Sequence, residues 1–476
     1  MRHVQSGGRL AVVLMFTTII GIGHCPNVVT AGQDAKKLPT DEQVQRGREI
    51  FLKRWKEADF LSASGDGLGP VYNARSCAEC HGIGGPGGAG GNDHNVDLLT
   101  VTPPSIAKHE RGGFGKRMSA LDPVLTAGFS SVRPSVTVHK FGVDPEYGDW
   151  RLGLLKLVTH ENPDIAEGRS TKLLLAPGKK KNPTLAKDVR VSDLLHLGIF
   201  QRSTPALFGA GLIDKIPDEA IQAIAQTQAT GRDGVKGQVA IATGGHAGKF
   251  GWRGQTATLS EFVMGACANE LGLEVPGHPQ GIDPLDPNYK VKGTDLTQGQ
   301  CEDMTAFVAS LPRPAQRRPI NIAERKLWDG GEQVFNSVGC ATCHVRTVAN
   351  VEGLYSDLLL HDLGPRLADP AGANSSPSSG GASPAYYGGP TDVFVAVPPI
   401  TRRQWRTPPL WGVADSGPYL HDGRAATLTE AIQIHAGEAT SSVRLFVMLP
   451  STERQKILAF LNSLSAPSAE NLVAQE

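Results

Sequence analysis

Apolar residues recur at helical spacing in short segments of the chain, and long Gly- and Pro-rich stretches separate these segments. Val44, Phe51 and Trp55 lie at i, i+7 and i+11, and Val334, Phe335 and Val338 form a similar stripe much later, so each set predicts one packing helix. Leu428 and Ile432, with His435 at i+7, mark another helix face, and Ala306-Phe307 and Ala459-Phe460 sit on two further helical patterns. The N-terminus reads differently. Arg2 and Arg9 precede an apolar run, Leu10 to Ile20, followed by the small-residue site Val29-Thr30-Ala31. A basic start, roughly 7 to 15 apolar residues and such a site make a secretory signal, so residues 1–31 are expected to be removed on export to the periplasm or beyond. The run is shorter than the roughly 18 residues that span hydrocarbon, and no later stretch reaches that length, so no membrane span is expected in the mature chain.

Cysteine usage adds the chemistry. Of seven cysteines Cys25 lies in the leader, and four of the rest fall in Cys77-Ala78-Glu79-Cys80-His81 and Cys340-Ala341-Thr342-Cys343-His344. Two thiols at this spacing can add to the two vinyl groups of one haem, and the adjacent histidine then reaches the iron. A zinc site would need four ligands converging from both motifs, and a dithiol site would leave the following histidine unexplained. The reading is therefore two covalently bound c-type haems, with Cys77, Cys80, Cys340 and Cys343 as attachment points and His81 and His344 as iron ligands. Cys267 and Cys301 remain, and in an exported chain such a pair is expected to form a disulfide.

Around the two motifs the same landmarks follow in the same order. Gly47-Arg48-Glu49-Ile50-Phe51 matches Gly331-Glu332-Gln333-Val334-Phe335, and Thr204-Pro205-Ala206-Leu207-Phe208-Gly209 matches Thr407-Pro408-Pro409-Leu410-Trp411-Gly412. Phe250-Gly251-Trp252-Arg253-Gly254 with Thr258-Leu259 matches Tyr419-Leu420-His421-Asp422-Gly423 with Thr427-Leu428 at one constant offset. Duplication is the economical explanation. It predicts a mainly α architecture of two haem domains, residues 40–318 with insertions and the compact 319–466, joined through Pro312, Pro314 and Pro319, with a tail at 467–476. Gly82 to Gly91 and Pro370 to Pro390 read as mobile surface loops and Lys179-Lys180-Lys181 as a solvated turn. Composition agrees, since 56 Gly and 33 Pro among 476 residues favour loops over sheets. Lys plus Arg (47) equals Asp plus Glu (47), which argues against a nucleic-acid partner or a polybasic membrane surface.

At this level the chain resembles the bacterial di-haem c-type oxidoreductases described as peroxidases or thiol oxidoreductases, and more distantly the di-haem cytochrome c peroxidases. The residues that carry the likeness are Leu68 to Asn73 before the first Cys motif, Lys249-Phe250-Gly251-Trp252-Arg253, Ser356 to Gly364, and Arg406 to Gly412 through Tyr419-Leu420-His421-Asp422-Gly423-Arg424. The resemblance implies two tandem cytochrome c-like domains facing each other with the haems between them. It also implies a second axial ligand soon after the Thr-Leu landmark of the second copy, which lands on His435, with His361 as the other possibility.

Carried through the repeat offset, His435 falls on Ala266, which cannot bind iron. The first haem is then either open to substrate or capped by another side chain, Met264 or the loop residue His94, where the peroxidases carry a displaceable histidine. Trp252 and Arg253 replace His421 and Asp422 at the haem-facing corner of the repeat. Arg253 is expected either to stabilise charge on a departing oxygen or to pair with a haem propionate, and His421 to position the second haem. The expected activity is peroxidase-like reduction of a small oxidant such as hydrogen peroxide at the first haem, with the second storing an electron. A pure electron-transfer cytochrome and an oxidase of thiols or another small reductant are the alternatives. The neutral chain points to a small redox protein, a c-type cytochrome or copper protein, docking on a local patch.

Overall fold

A computed structural model describes residues 38–102, 135–158, 196–231, 234–286, 289–369 and 401–468. The expected signal peptide, the Lys179-Lys180-Lys181 turn, the Pro370 to Pro390 loop and most of the tail lie outside them. The chain divides after Pro39, and the helices and strands of the described residues all belong to the unit that begins at Thr40. No helix among the described residues is long and apolar enough to cross a membrane.

Helix Asp41–Leu52 opens on a capping box, in which Thr40 accepts from the Gln43 amide and the Gln43 side chain accepts from the Thr40 amide. The predicted stripe then buries Phe51, with Trp55 just beyond the helix end. This helix crosses helix Gln298–Ser310 at Gly47, where a Cβ would stand 2.0 Å from the Asp303 carbonyl oxygen and 2.8 Å from the Phe307 Cβ. Only glycine permits that approach. Helix Gly331–Ser337 crosses helix Ser451–Asn462 in the same way, with Gly331 against the Lys456 carbonyl (2.4 Å) and the Phe460 Cβ (2.8 Å). The rings that pack in each crossing also correspond, Phe51 with Phe307 at 5.1 Å and 56°, and Phe335 with Phe460 at 5.3 Å and 57°. The landmarks matched in sequence thus recur as the same local geometry. Further on, Thr258 and Thr427 cap helices Leu259–Glu270 and Leu428–Ile434, each accepting from the amide three residues ahead.

Helices predominate, but five small sheets appear among the described residues, four of two strands and one of three. In the three-stranded one, Val96–Thr102 runs between Ser135–Val138 and His196–Arg202, with Leu98 opposite both Thr137 and Phe200. The later counterpart is a short pair, Leu360–Asp362 with Gln404–Arg406, in which His361 faces Trp405. The proline-rich link is also a strand, since Ala315–Gln316 pairs with Leu464–Ser465 and Arg317 donates its amide to the Ser463 carbonyl.

Two expectations fail here. Cys267 and Cys301 are free thiols, not a disulfide; both are fully buried and pack as small apolar side chains in the core that holds Phe51 and Phe307. Gly82 to Gly91 is not a loose surface loop either. It folds back through the Ile83–Ala89 bridge, its residues 87–90 are buried, and Gly88 is forced to be glycine because a Cβ would meet the Ile83 carbonyl at 1.7 Å.

Candidate haem site

Both Cys motifs open onto one cavity of about 390 Å³. The first lies on helix Cys77–Cys80, capped by Ser76, whose hydroxyl accepts from the Glu79 amide; the second lies on the 3-10 turn Cys340–Thr342. All four thiols line the cavity, and burial pushes Cys77, Cys80 and Cys340 up to about 12.

The histidines show the clearest chemistry. The His81 Nδ1–H donates to the Gly88 carbonyl oxygen at 3.1 Å, and the His344 Nδ1–H donates to the Tyr355 carbonyl oxygen at 3.0 Å. Such a bond fixes the tautomer and leaves the Nε2 lone pair for a metal. Burial also pushes both rings down to about 4, so they are neutral and ready to ligate at any ordinary pH. Phe51 packs 6.4 Å from the His81 ring and Phe335 6.3 Å from the His344 ring, so each imidazole is held by the same helix crossing. His435 has the same signature. It caps the C-terminus of helix Leu428–Ile434, its Nδ1–H donates to the Ala431 carbonyl at 2.6 Å, it lines the cavity, and burial lowers its pKa. Paired thiols and neutral imidazoles of fixed tautomer, on a cavity walled by apolar residues such as Phe208, Leu259 and Val263, fit a c-type haem at each motif.

Positions matched by the repeat offset carry different side chains on the cavity wall. Ala266 lines the cavity where its counterpart His435 does, whereas Met264 is not among the lining residues and packs against the core. His94 does line it, with Nδ1 3.7 Å from the Cys80 Sγ and Nε2 3.3 Å from Asp93. His361 is excluded as an iron ligand in this arrangement. Its Nε2 is bonded to Asp357 Oδ2 and its Nδ1 to Glu438 Oε2, both at 2.8 Å, so neither nitrogen is left for iron. Burial opposes charging this ring, but bonds with Asp357, Cys343 and Glu438 outweigh it and hold the pKa well above the usual value.

Trp252 and His421 both line the cavity. The Trp252 indole donates to the Ser203 carbonyl at 3.0 Å, and its ring lies 6.5 Å from His421, edge to face. His421 stacks on Trp405 at 3.6 Å and 13°, and burial drives its pKa well down, so it presents a neutral ring. Arg253 departs from expectation. It is not among the residues that line the cavity; its Nη2 donates to Asp369 Oδ2 at 2.6 Å, its Nη1 to the Thr401 carbonyl at 2.9 Å, and its guanidinium lies 4.3 Å from the Trp405 ring. The reason is electrostatic: the Asp369 carboxylate is 2% exposed and needs compensating charge, which Arg253 and Arg202 supply together. Arg253 thus pairs with Asp369 behind the residues that line the cavity.

Further charged residues to which sequence reasoning assigns no role line the cavity. Arg202 and Arg406 are cationic lining residues, the latter donating Nε–H to the Gly251 carbonyl at 2.8 Å. Glu270 brings a carboxylate to the wall because helix Leu259–Glu270 runs several residues past the point where Leu428–Ile434 stops. Its Oε2 accepts from the Asn73 Nδ2 at 2.7 Å. The difference in helix length was the only signal, and it cannot be read from the shared landmarks.

Residues 399–464 match the family described as "Di-haem oxidoreductase, putative peroxidase". Hydrazine synthase subunit gamma of Kuenenia stuttgartiensis is 25% identical over 204 residues, which are 40% of this chain and 57% of that subunit. The match thus spans little more than half the length of that relative. Among solved structures, Kuenenia stuttgartiensis hydrazine synthase pressurised with xenon aligns with 38% of this chain and 59% of its own, at 21% identity and a TM-score of 0.24. A MauG-like protein associated with microbial copper homeostasis aligns with 54% of this chain and 91% of its own, at 18% identity and a TM-score of 0.26. The resemblance read from the sequence therefore stands: the chain is similar to the di-haem oxidoreductases, and the matched segment is the one that carries His421 and His435.

Proposed function

We propose that this protein is an exported, peroxidase-type oxidoreductase with two covalent c-type haems, one in each of two cytochrome c-like domains at residues 40–318 and 319–466. Cys77, Cys80 and His81 would hold the first haem, and Cys340, Cys343, His344 and His435 would hold the second. When bound, the haems supply one-electron redox chemistry and, where an axial position is open, a place for a small oxidant.

The observation that carries the reading is the contrast between Ala266 and His435, equivalent positions that both line the cavity. The methyl group of Ala266 leaves the first site open, whereas His435, its Nδ1 tied to Ala431, keeps the second closed. His94 stands beside the first site at the end of the 3-10 turn Asn92–His94, where, partly exposed, it can cap the site at rest and withdraw from it. Glu270 is the carboxylate placed to carry protons there. Hydrogen peroxide, two protons and two electrons then give two waters, and a small c-type cytochrome or copper protein supplies the electrons one at a time.

Mixing the half-reduced protein with hydrogen peroxide and an excess of reduced donor tests this. Two donor molecules are expected to be oxidised per peroxide consumed. Complete reduction of both haems by the donor without any peroxide-dependent turnover would instead leave an electron carrier, the role that fixed ligation by His94 would impose.

A further inference from the structure

His361 follows the second Cys motif much as His94 follows the first, and each Nδ1 lies 3.7 Å from the second thiol of its motif, Cys343 or Cys80. Their surroundings are opposite. The His94 side chain is 29% exposed and its ion-pair partner, Asp93, is 78% exposed. The His361 side chain is 2% exposed and fixed between Asp357 and Glu438.

Both carboxylates are themselves held. Asp357 accepts from Gln228 Nε2 at 2.8 Å and from the Leu359 amide at 2.9 Å. Glu438 accepts from the Lys236 amide at 3.0 Å and the Asp362 amide at 3.2 Å. Glu438 is three residues beyond His435, and Gly437 between them has a φ of +57° with its missing Cβ only 2.0 Å from the Asp362 carbonyl oxygen. The segment that begins at His435 therefore lies flush on the segment that contains His361.

This matters because His435 occupies the C-cap of a seven-residue helix. Last turns fray, and the chain leaves this helix at His435, with Ala436 extended before the 3-10 turn Gly437–Ala439 begins. Charge-assisted bonds in a buried network are strong enough to supply that restraint.

We propose that Asp357, His361 and Glu438 form a clamp that keeps His435 seated at the second haem, so that this site does not exchange its axial ligand while the first site can. The inference rests on the reading of His435 as that ligand. His361 and Glu438 also line the cavity, and in this account they act through His435 as positioning residues.

Cyanide binding to the fully oxidised holoprotein tests it, followed by visible absorption with the low-spin signals recorded alongside. Glu438→Ala and His361→Gln are expected to retain both haems, leave the first-haem phase unchanged and speed cyanide capture at the second haem by about tenfold or more. Glu438→Gln, which keeps the shape, is expected to fall between them and the parent. Should Glu438→Ala not accumulate as folded protein, His361→Gln carries the test. Parent-like cyanide kinetics in a folded variant that has lost Glu438 or His361 would overturn the clamp. His435→Ala separates the two levels. If it opens the second haem while the clamp variants do nothing, only the clamp fails; if it leaves the parent spectrum intact, the ligand assignment fails and the clamp with it.

Discussion

The two ends of the cavity are built on one plan and finished differently. Each has a helix crossing at a glycine, a phenylalanine beside the motif histidine, and an Nδ1–H tied to a backbone carbonyl. The differences sit at a few wall positions: Ala266 against His435, the exposed His94 against the clamped His361, and Trp252 against His421. On the proposed reading, a shared scaffold holds the iron-binding group, and these wall side chains set the difference between an open and a closed site.

The largest effect is expected from erasing that difference. Ala266→His gives the first end the residue that the second end has, and it is expected to convert the protein to an all-low-spin form with peroxide turnover at background. Spectra together with a peroxide assay check this. Unchanged turnover in a folded Ala266→His variant would mean that substrate does not approach from that wall.

Arg253 sharpens the comparison by separating chemistry from support. Arg253→Met leaves Asp369 buried with only Arg202, and removing one partner of a buried ion pair costs about 3 to 5 kcal/mol. Urea denaturation is expected to show that loss, while turnover per haem stays within about twofold, since the guanidinium does not reach the cavity. A fall in turnover with stability intact would return Arg253 to a catalytic role.

How much of this could be read from the chain depended on how local the cause was. The Cys motifs are carried by short spacings and the Ala266 and His435 positions by ordered landmarks, and all of these residues line one cavity. What stayed hidden was set by partners distant in sequence. Arg253 finds Asp369, and His361 finds Glu438, across folds that no local pattern announces. In sequence the Gly82 to Gly91 run reads as loose, because glycine imposes no conformation of its own. In the structure its glycines permit close approach, so that the Gly88 carbonyl can reach His81. The cysteine pair was read from compartment chemistry, yet core packing gives both thiols a place without a bond.

Smaller effects probe the shared plan itself. Gly47→Ala and Gly331→Ala each force a Cβ into a carbonyl, and overpacking of this kind costs about 1 to 3 kcal/mol. The penalty is expected to be greater at Gly47, where the clash is closer, and thermal denaturation of the two variants ranks them. The smallest effect concerns pH. His139 is buried in the first half, its Nε2–H donating to the Asn269 carbonyl at 2.9 Å, and burial pushes its pKa down to about 4. A histidine in the unfolded chain titrates near 6.5, so the unfolded state gains the proton first. The contribution of His139 to stability is therefore complete above about pH 6.5 and is lost as pH falls toward 4. His139→Gln is expected to flatten that part of a denaturation midpoint against pH, and an unchanged slope would show that His139 is not the group responsible.

That one end of the cavity is open and the other closed is tested most directly by low-temperature electron paramagnetic resonance of the haem-loaded protein after one electron has been added per molecule. A high-spin ferric signal is expected from the haem that remains oxidised, as an open or weakly capped iron at His81 would give. Low-spin signals alone would contradict this, and would make the protein an electron-transfer cytochrome with both irons capped.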